Sequence, residues 1–244
     1  MDILAHAERL AAHVTVVRRD TDGRLPVVVQ MHGCGGVLPM QFTYAEAARD
    51  VGVAAVVLDS FAPRGIGRRE AQLTVCSGLK FRGAERAVDL VAALRWLQDQ
   101  PWADPDRIAV AGWSHGGWAI MEALTQTSPA TAAEADVLAR LKAAILICPY
   151  AGPLSRTARR GWGANRPTVY ACLGGRDAVV GRTLPERALK RLEDDGLTVN
   201  RLFLPEATHS FDDPDANDPR TQYRPDLAEQ ARAFYVAALT EALA

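Results

Sequence analysis

Long apolar runs are missing from this chain of 244 residues. No stretch approaches the roughly 18 to 20 consecutive apolar residues of a membrane helix, and Asp2, Glu8 and Arg9 interrupt the first ten residues, where a signal peptide would be apolar. A cytoplasmic location with no membrane partner is therefore expected. An excess of charge of either sign is missing too: Lys and Arg number 28, Asp and Glu 29, for a net charge of −1. The field that draws polyanions is absent, and no nucleic-acid partner is expected. Cysteine is scarce. Cys34, Cys76, Cys148 and Cys172 are too few for a disulfide scaffold and lack paired spacing for zinc, so no structural metal is expected. There is no internal repeat, low-complexity tract or Gly/Ser-rich linker. With 48% hydrophobic and 23% charged residues, the chain can bury a full-sized core, and one domain over residues 1–244 is expected.

What is present is a series of short runs rich in Val and Ile: 14–17, 26–31, 53–58, 108–111, 143–147, 168–173 and 199–204. Nearly continuous apolar runs of this kind read as strands buried on both faces. Between them lie segments of helical period. The clearest has Ala87, Leu90, Val91, Leu94 and Leu97 on one face, which leaves Arg86, Asp89, Arg95 and Gln98 for the surface. Further helices are expected over 43–50, 115–127, 132–141, 184–194 and 225–243. Alternation of strand and helix implies an α/β fold, a mostly parallel central sheet with helices on both faces. The run at 14–17, ahead of the first of these helices, fits an antiparallel edge strand.

In such a sheet, chemistry gathers on loops past the carboxyl ends of the strands. After the run ending at Ala111 comes Gly112-Trp113-Ser114-His115-Gly116, a Gly-x-Ser-x-Gly pattern between strand and helix. The flanking glycines permit a tight turn that lifts the Ser114 hydroxyl clear of the sheet, as a nucleophile requires. A serine at its free pKa needs a histidine oriented by a carboxylate, in the chain order serine, acid, histidine for this arrangement. Asp177 follows Gly174-Gly175 at one strand end, and His209 follows the last strand. Glu206, Asp212 and Asp213 are the other acids near His209. Acyl transfer also needs donors for an oxyanion. These are the His115 amide and, from the loop His32-Gly33-Cys34-Gly35-Gly36, the Cys34 amide, with Gly35 as the alternative. By itself that glycine-rich loop could equally bind phosphate, although it lacks the Lys-Ser/Thr ending of a P-loop.

Five stretches carry a family resemblance: residues 32–36, Asp59-Ser60-Phe61-Ala62-Pro63-Arg64-Gly65, residues 106–117, Gly174-Gly175-Arg176-Asp177, and Ala207-Thr208-His209-Ser210-Phe211-Asp212. With them the chain resembles the α/β-hydrolase superfamily, and more narrowly the dienelactone hydrolase family, from about Val27 to the final helix. The resemblance implies an α/β-hydrolase fold without a large cap. It also implies Ser114, Asp177 and His209 as catalytic triad, with the Cys34 and His115 amides as oxyanion hole. The family's namesakes use a cysteine nucleophile; Ser114 in that position points to the broader serine carboxylic-ester hydrolases.

On the substrate side, Arg64 can clamp a substrate carboxylate or pair with a local acid. Arg156, Arg159, Arg160 and Arg166 with Trp162 form either a basic, aromatic rim or a solvated loop. Trp113 and Trp118 flank the nucleophile, as packing residues or as shelves. Cys34 and Cys76 lie on loops at the same sheet end and can pair only in an oxidising compartment; Cys148 and Cys172 read as buried strand residues. The length leaves no room for a propeller or large lid, which favours a small soluble ester or lactone as substrate. No cofactor is called for, and the oligomeric state is not legible. An acyltransferase or perhydrolase would use the same triad, and a non-catalytic binding module would lack one of its members.

Overall fold

The computed structural model describes residues 2–76 and 78–244. Met1, and Ser77 between the third strand and the long helix after it, lie outside the described residues. Among the described residues seven strands form one sheet: β1 (Val14–Val17), β2 (Leu25–Met31), β3 (Ala54–Leu58), β4 (Ala103–Trp113), β5 (Leu141–Ile147), β6 (Thr168–Gly174) and β7 (Val199–Leu204). Their spatial order is β1-β3-β2-β4-β5-β6-β7. Only β1 runs antiparallel, at the edge, with Val14 opposite Leu58 and Val17 opposite Ala55. The parallel strands β2 to β6 lie between two helical layers, which is why they read as unbroken Val/Ile/Leu/Ala runs instead of alternating ones.

One layer holds α1 (Ile3–Ala11), α3 (Gly83–Gln98), α4 (His115–Leu124) and α5 (Thr183–Asp194), packed on Val27, Val29, Val56 and Val110. The other holds α2 (Pro39–Asp50) and α6 (Pro225–Leu243), packed on Val28, Val57, Ala111 and Ile145. Residues adjacent along β2 thus feed opposite layers, as the period of two demands.

Four sequence expectations need correction. The chain opens with α1, which the apolar periodicity did not single out; the Asp2 carboxylate caps it by accepting the amides of Leu4 and Ala5. Helix α2 begins four residues early, at Pro39, because proline suits the first helical turn and the Gln41 side chain takes the Leu38 amide. Residues 132–141 are not one helix. Two short turns, Pro129–Ala133 and Ala135–Leu138, are broken at Glu134, and β5 already starts at Leu141. Arg86 and Asp89, assigned to the surface by periodicity, are buried.

Cys34, in the loop after β2, is bonded to Cys76, in the segment after β3. No described helix is long and apolar enough to cross a membrane. The bridge joins residues 42 apart in sequence, a closure that in the chain-entropy picture contributes up to roughly 4 kcal/mol. Reduction, or Cys76→Ser, is therefore expected to lower unfolding free energy by about 2–4 kcal/mol, read as a lower denaturant midpoint. An unchanged midpoint contradicts this.

Candidate active site

Strand β4 runs directly into Ser114, whose backbone sits at φ 50°, ψ −110°, a conformation that persists in a non-glycine residue only when its surroundings enforce it. They do so here. The Ser114 amide donates to the Ile147 carbonyl (2.9 Å), and the Ser114 carbonyl accepts the amides of Trp118 (3.0 Å) and Tyr150 (3.1 Å). The turn also brings α4 against the end of β2. A Cβ on Gly116 would lie 2.0 Å from the Met31 carbonyl oxygen, and one on Gly112 would lie 2.6 Å from the Gly116 carbonyl carbon. Both outer glycines of the pattern are thus demanded by close backbone approach.

The Ser114 hydroxyl lies 2.8 Å from His209 Nε2, and His209 Nδ1 lies 2.7 Å from Asp177 Oδ2. The other Asp177 oxygen accepts the amides of Val179 (2.9 Å) and Val180 (3.0 Å). Burial works against this carboxylate, but the His209 contact and the two amides outweigh it and hold its pKa below the ordinary range. An ionised Asp177 fixes Nδ1 as the protonated nitrogen, which leaves Nε2 free to take a proton from the serine. The competing acids are engaged elsewhere. Asp212 accepts Trp113 Nε1 (3.0 Å) and the Tyr44 hydroxyl (3.1 Å), Asp213 accepts the Asp215 amide, and Glu206 pairs with Arg176.

Beside the serine lie the two expected donors, the Cys34 and His115 amides; among the described residues neither has an acceptor. The segments that carry them are joined through Arg86, a buried residue that periodicity assigns to the surface. Its guanidinium donates to the His32 carbonyl (2.7 Å), the Ser60 hydroxyl (3.1 Å) and His115 Nδ1 (3.3 Å). Burial lowers the Arg86 pKa to about 9, against which Asp89 and Asp59 act, so the group stays cationic at neutral pH. Burial and that charge push His115 down to about 3 and His32 well below its usual value. Both imidazoles are therefore neutral. His32 donates from Nδ1 to the Gly33 carbonyl (2.6 Å) and accepts the Ser60 amide at Nε2 (3.3 Å), which stiffens the start of the glycine-rich loop. The charge-bearing spacing Arg86-x-x-Asp89 beside the apolar positions Ala87, Leu90 and Val91 is the available signal.

A cavity of about 600 Å³ opens over the serine, lined among others by Cys34, Trp113, His209, Asp212 and Arg220. On the substrate side the structure selects between the alternatives: Arg64 pairs with a local acid and does not clamp substrate, Arg159 and Arg160 are exposed and form no rim, and Trp162 is in neither expected place. Arg64 does not face the cavity; its guanidinium makes paired contacts with Asp89 (2.9 and 2.7 Å), which also takes His6 Nε2 (2.6 Å). Trp162 is 1% exposed, inside the core. Neither Arg159 nor Arg160 lines the cavity; they sit on the short turn Thr157–Arg160. Trp113 does line it. Trp118 packs against His115 and Tyr150.

Among the described residues one group has metal-ligating composition, Cys148, Asp177 and His209. Both His209 nitrogens are already committed to Asp177 and Ser114, and burial drives the Cys148 thiol well above its ordinary pKa, away from the thiolate a metal takes. The donor set does not suit an ion.

Residues 52–136 match the profile of the prolyl oligopeptidase family. Over 89 residues the chain is 34% identical to "Probable dipeptidyl-aminopeptidase B" of Fusarium vanettenii, a match covering 36% of this chain and 9% of that protein. The chain thus spans a small fraction of the length of this curated relative. Solved structures are similar over nearly the whole chain. A dienelactone hydrolase of Anabaena variabilis aligns at TM-score 0.58 and 21% identity, covering 92% of this chain and 90% of the other. A dienelactone hydrolase-like promiscuous phosphotriesterase from metagenomic libraries aligns at 0.70 and 19%, covering 95% and 100%. Esterase 2 of Thermogutta terrifontis, phosphonylated by cyclosarin, aligns at 0.65 and 19%, covering 93% and 88%. The fold is that of the α/β-hydrolases.

Burial raises the Asp212 pKa to about 6. Its folded pKa exceeds its unfolded one, so the group's contribution to stability is full at low pH and is lost as pH rises from about 4 to about 6. Unfolding free energy of the native chain minus that of Asp212→Asn should fall by up to roughly 3 kcal/mol across that window. Denaturation of both proteins at a series of pH values reads this difference. A flat difference contradicts the assignment.

Proposed function

We propose that the chain is a serine hydrolase acting on small carboxylic esters or lactones through an acyl-enzyme. The observation that carries this reading is the continuous chain from the Ser114 hydroxyl through His209 to Asp177, mounted on a strained strand-to-helix turn. In this reading Ser114 Oγ attacks the carbonyl carbon while His209 Nε2 takes its proton. The negative charge that develops on the carbonyl oxygen is met by the Cys34 and His115 amides. Arg86 beneath them adds positive potential without reaching the substrate. Collapse of the tetrahedral species expels the alcohol, which takes its proton from His209. Water then enters, His209 Nε2 takes one of its protons as its oxygen attacks the acyl carbon, and the bond to Ser114 Oγ breaks with that proton returned from His209 to Oγ, which releases the carboxylic acid and restores the serine.

A second reading, peptide hydrolysis, is favoured by the prolyl oligopeptidase profile over residues 52–136. Three substrates separate them: a dipeptide 4-nitroanilide, the corresponding 4-nitrophenyl ester and a plain acyl ester. The ester reading expects turnover of the acyl ester and none of the anilide.

The cytoplasmic location expected from the sequence and the Cys34–Cys76 bridge pull apart, since such bridges persist in oxidising compartments. Thiol titration of protein taken from its native source decides which holds.

Ser114→Ala is expected to lower kcat for 4-nitrophenyl acetate by about 10³ or more; a wild-type rate from pure variant removes Ser114 from the mechanism. The arginines expected to attract anionic esters do not reach the cavity. Its lining carries Asp212, Asp213, Asp215 and Asp218 against Arg68 and Arg220, the latter paired with Asp218. An ester bearing a remote carboxylate should therefore have lower kcat/KM than its neutral isostere, and the gap should narrow as salt shortens the screening length. Preference for the anionic ester at low salt contradicts this.

A further inference from the structure

Ser114 opens onto two cavities of very different size. The larger, about 600 Å³, is lined by His209 and the 210–221 segment. The smaller, about 70 Å³, is lined by Val75, His115, Trp118, Tyr150 and Val180, among others, and not by His209. Cys34 and Val179 line both and stand at the boundary between them. The chemistry of an acyl-enzyme assigns the two sides. The leaving alcohol must receive a proton from His209 Nε2, so it departs on the side that His209 lines. The attacking water must later give its proton to the same nitrogen, so it arrives by the same side. The acyl chain, held by Ser114 through both steps, needs the side that His209 does not line.

We propose that the cavity between Trp118, Tyr150 and Val180 is the acyl pocket, and that its size makes the enzyme selective for short acyl groups, acetyl to butyryl, on bulkier alcohols. This rests on the acyl-enzyme reading above. A cavity of about 150 Å³ holds benzene, six carbons. By the same measure about 70 Å³ holds about three carbons, the chain of a butyryl group beyond its carbonyl. The inner wall resists expansion, while Val179, Tyr150 and Val180 border the exposed side. Trp118 is fixed by its Nε1 contact to Glu122 (3.1 Å) and packs on Gly83, where a Cβ would lie 2.4 Å from the indole. Val75 is buried. A longer chain has to displace these groups, and packed interiors yield little.

The test is kcat/KM for 4-nitrophenyl acetate, propionate, butyrate, hexanoate and octanoate with the native chain, Tyr150→Ala and Val180→Phe. Both substitutions fall at partly exposed positions of the wall. Peptide mapping after exposure to a small fluorophosphonate accompanies each protein, reporting whether Ser114 is assembled and reactive. The native chain should lose ten-fold or more between butyrate and hexanoate. Tyr150→Ala should move that fall to longer chains, and Val180→Phe should restrict turnover to acetate. Phosphonylated Ser114 with a flat or rising profile, or with a fall that neither variant moves, overturns the acyl-pocket assignment and leaves the hydrolase reading standing. Absence of both labelling and hydrolysis in the native chain overturns the two together.

Discussion

The buried guanidinium of Arg86 is where the carboxyl ends of three neighbouring strands converge. It binds the His32 carbonyl past β2, the Ser60 hydroxyl past β3, and the His115 imidazole at the start of the helix that follows β4. A cation in that position is costly to bury unless its donors are satisfied and its charge is balanced. Asp89 and Asp59 supply the balance, and Asp89 in turn anchors Arg64 and His6. The segments that carry both proposed oxyanion donors, the Cys34 and His115 amides, are thereby tied to one buried group. The disulfide adds a covalent tie from Cys34 to the segment after β3. A donor pair placed this way needs no reorganisation when charge develops, which is where electrostatic catalysis gets most of its effect.

Around that anchor the site divides its electrostatics sharply. On one side two neutral imidazoles, His32 and His115, are kept uncharged by burial and by Arg86. On the other side Asp177 is kept ionised by His209 and two backbone amides. All three shifts run downward, which leaves neutral imidazoles beside an ionised carboxylate, while burial raises the neighbouring Asp212 carboxyl. The strained Ser114 backbone belongs to the same scheme. Its conformation is sustained by the approach of Gly116 to the Met31 carbonyl and by three hydrogen bonds, so the fold's close packing serves to expose one hydroxyl.

Much of this was legible in the residues, and the remainder was hidden for identifiable reasons. Doubly buried parallel strands show as continuous apolar runs, so the sheet, including the antiparallel β1 edge, could be read directly. The serine, acid and histidine that meet at the site stand immediately past strand ends, where the topology leaves few alternatives. Periodicity fails at Arg86 and Asp89 because it assumes that charge means solvent, whereas Arg86 hydrogen-bonds His32, Ser60 and His115 and Asp89 holds Arg64 and His6, all distant in sequence. For Arg64 the sequence leaves clamp and ion pair both open, because the acid that decides it, Asp89, reads as a surface residue. Trp162 fits neither the rim nor the solvated loop, because nothing in a loop sequence says which way the side chain folds back into the core. The helix expected over 132–141 failed at Glu134, which pairs with Arg95 across a break that helical propensity does not reveal.

The central claim is that acyl groups pass through Ser114. Acid-quenching a reaction with 4-nitrophenyl acetate in the first turnovers, followed by peptide mass mapping, tests it most directly. The account predicts a burst of 4-nitrophenol and an acetyl group on the peptide that contains Ser114, with no acetyl group trapped when His209 is replaced by alanine. Steady product formation with the acetyl group on another residue, or on none under conditions where deacylation is shown to be slow, would contradict it.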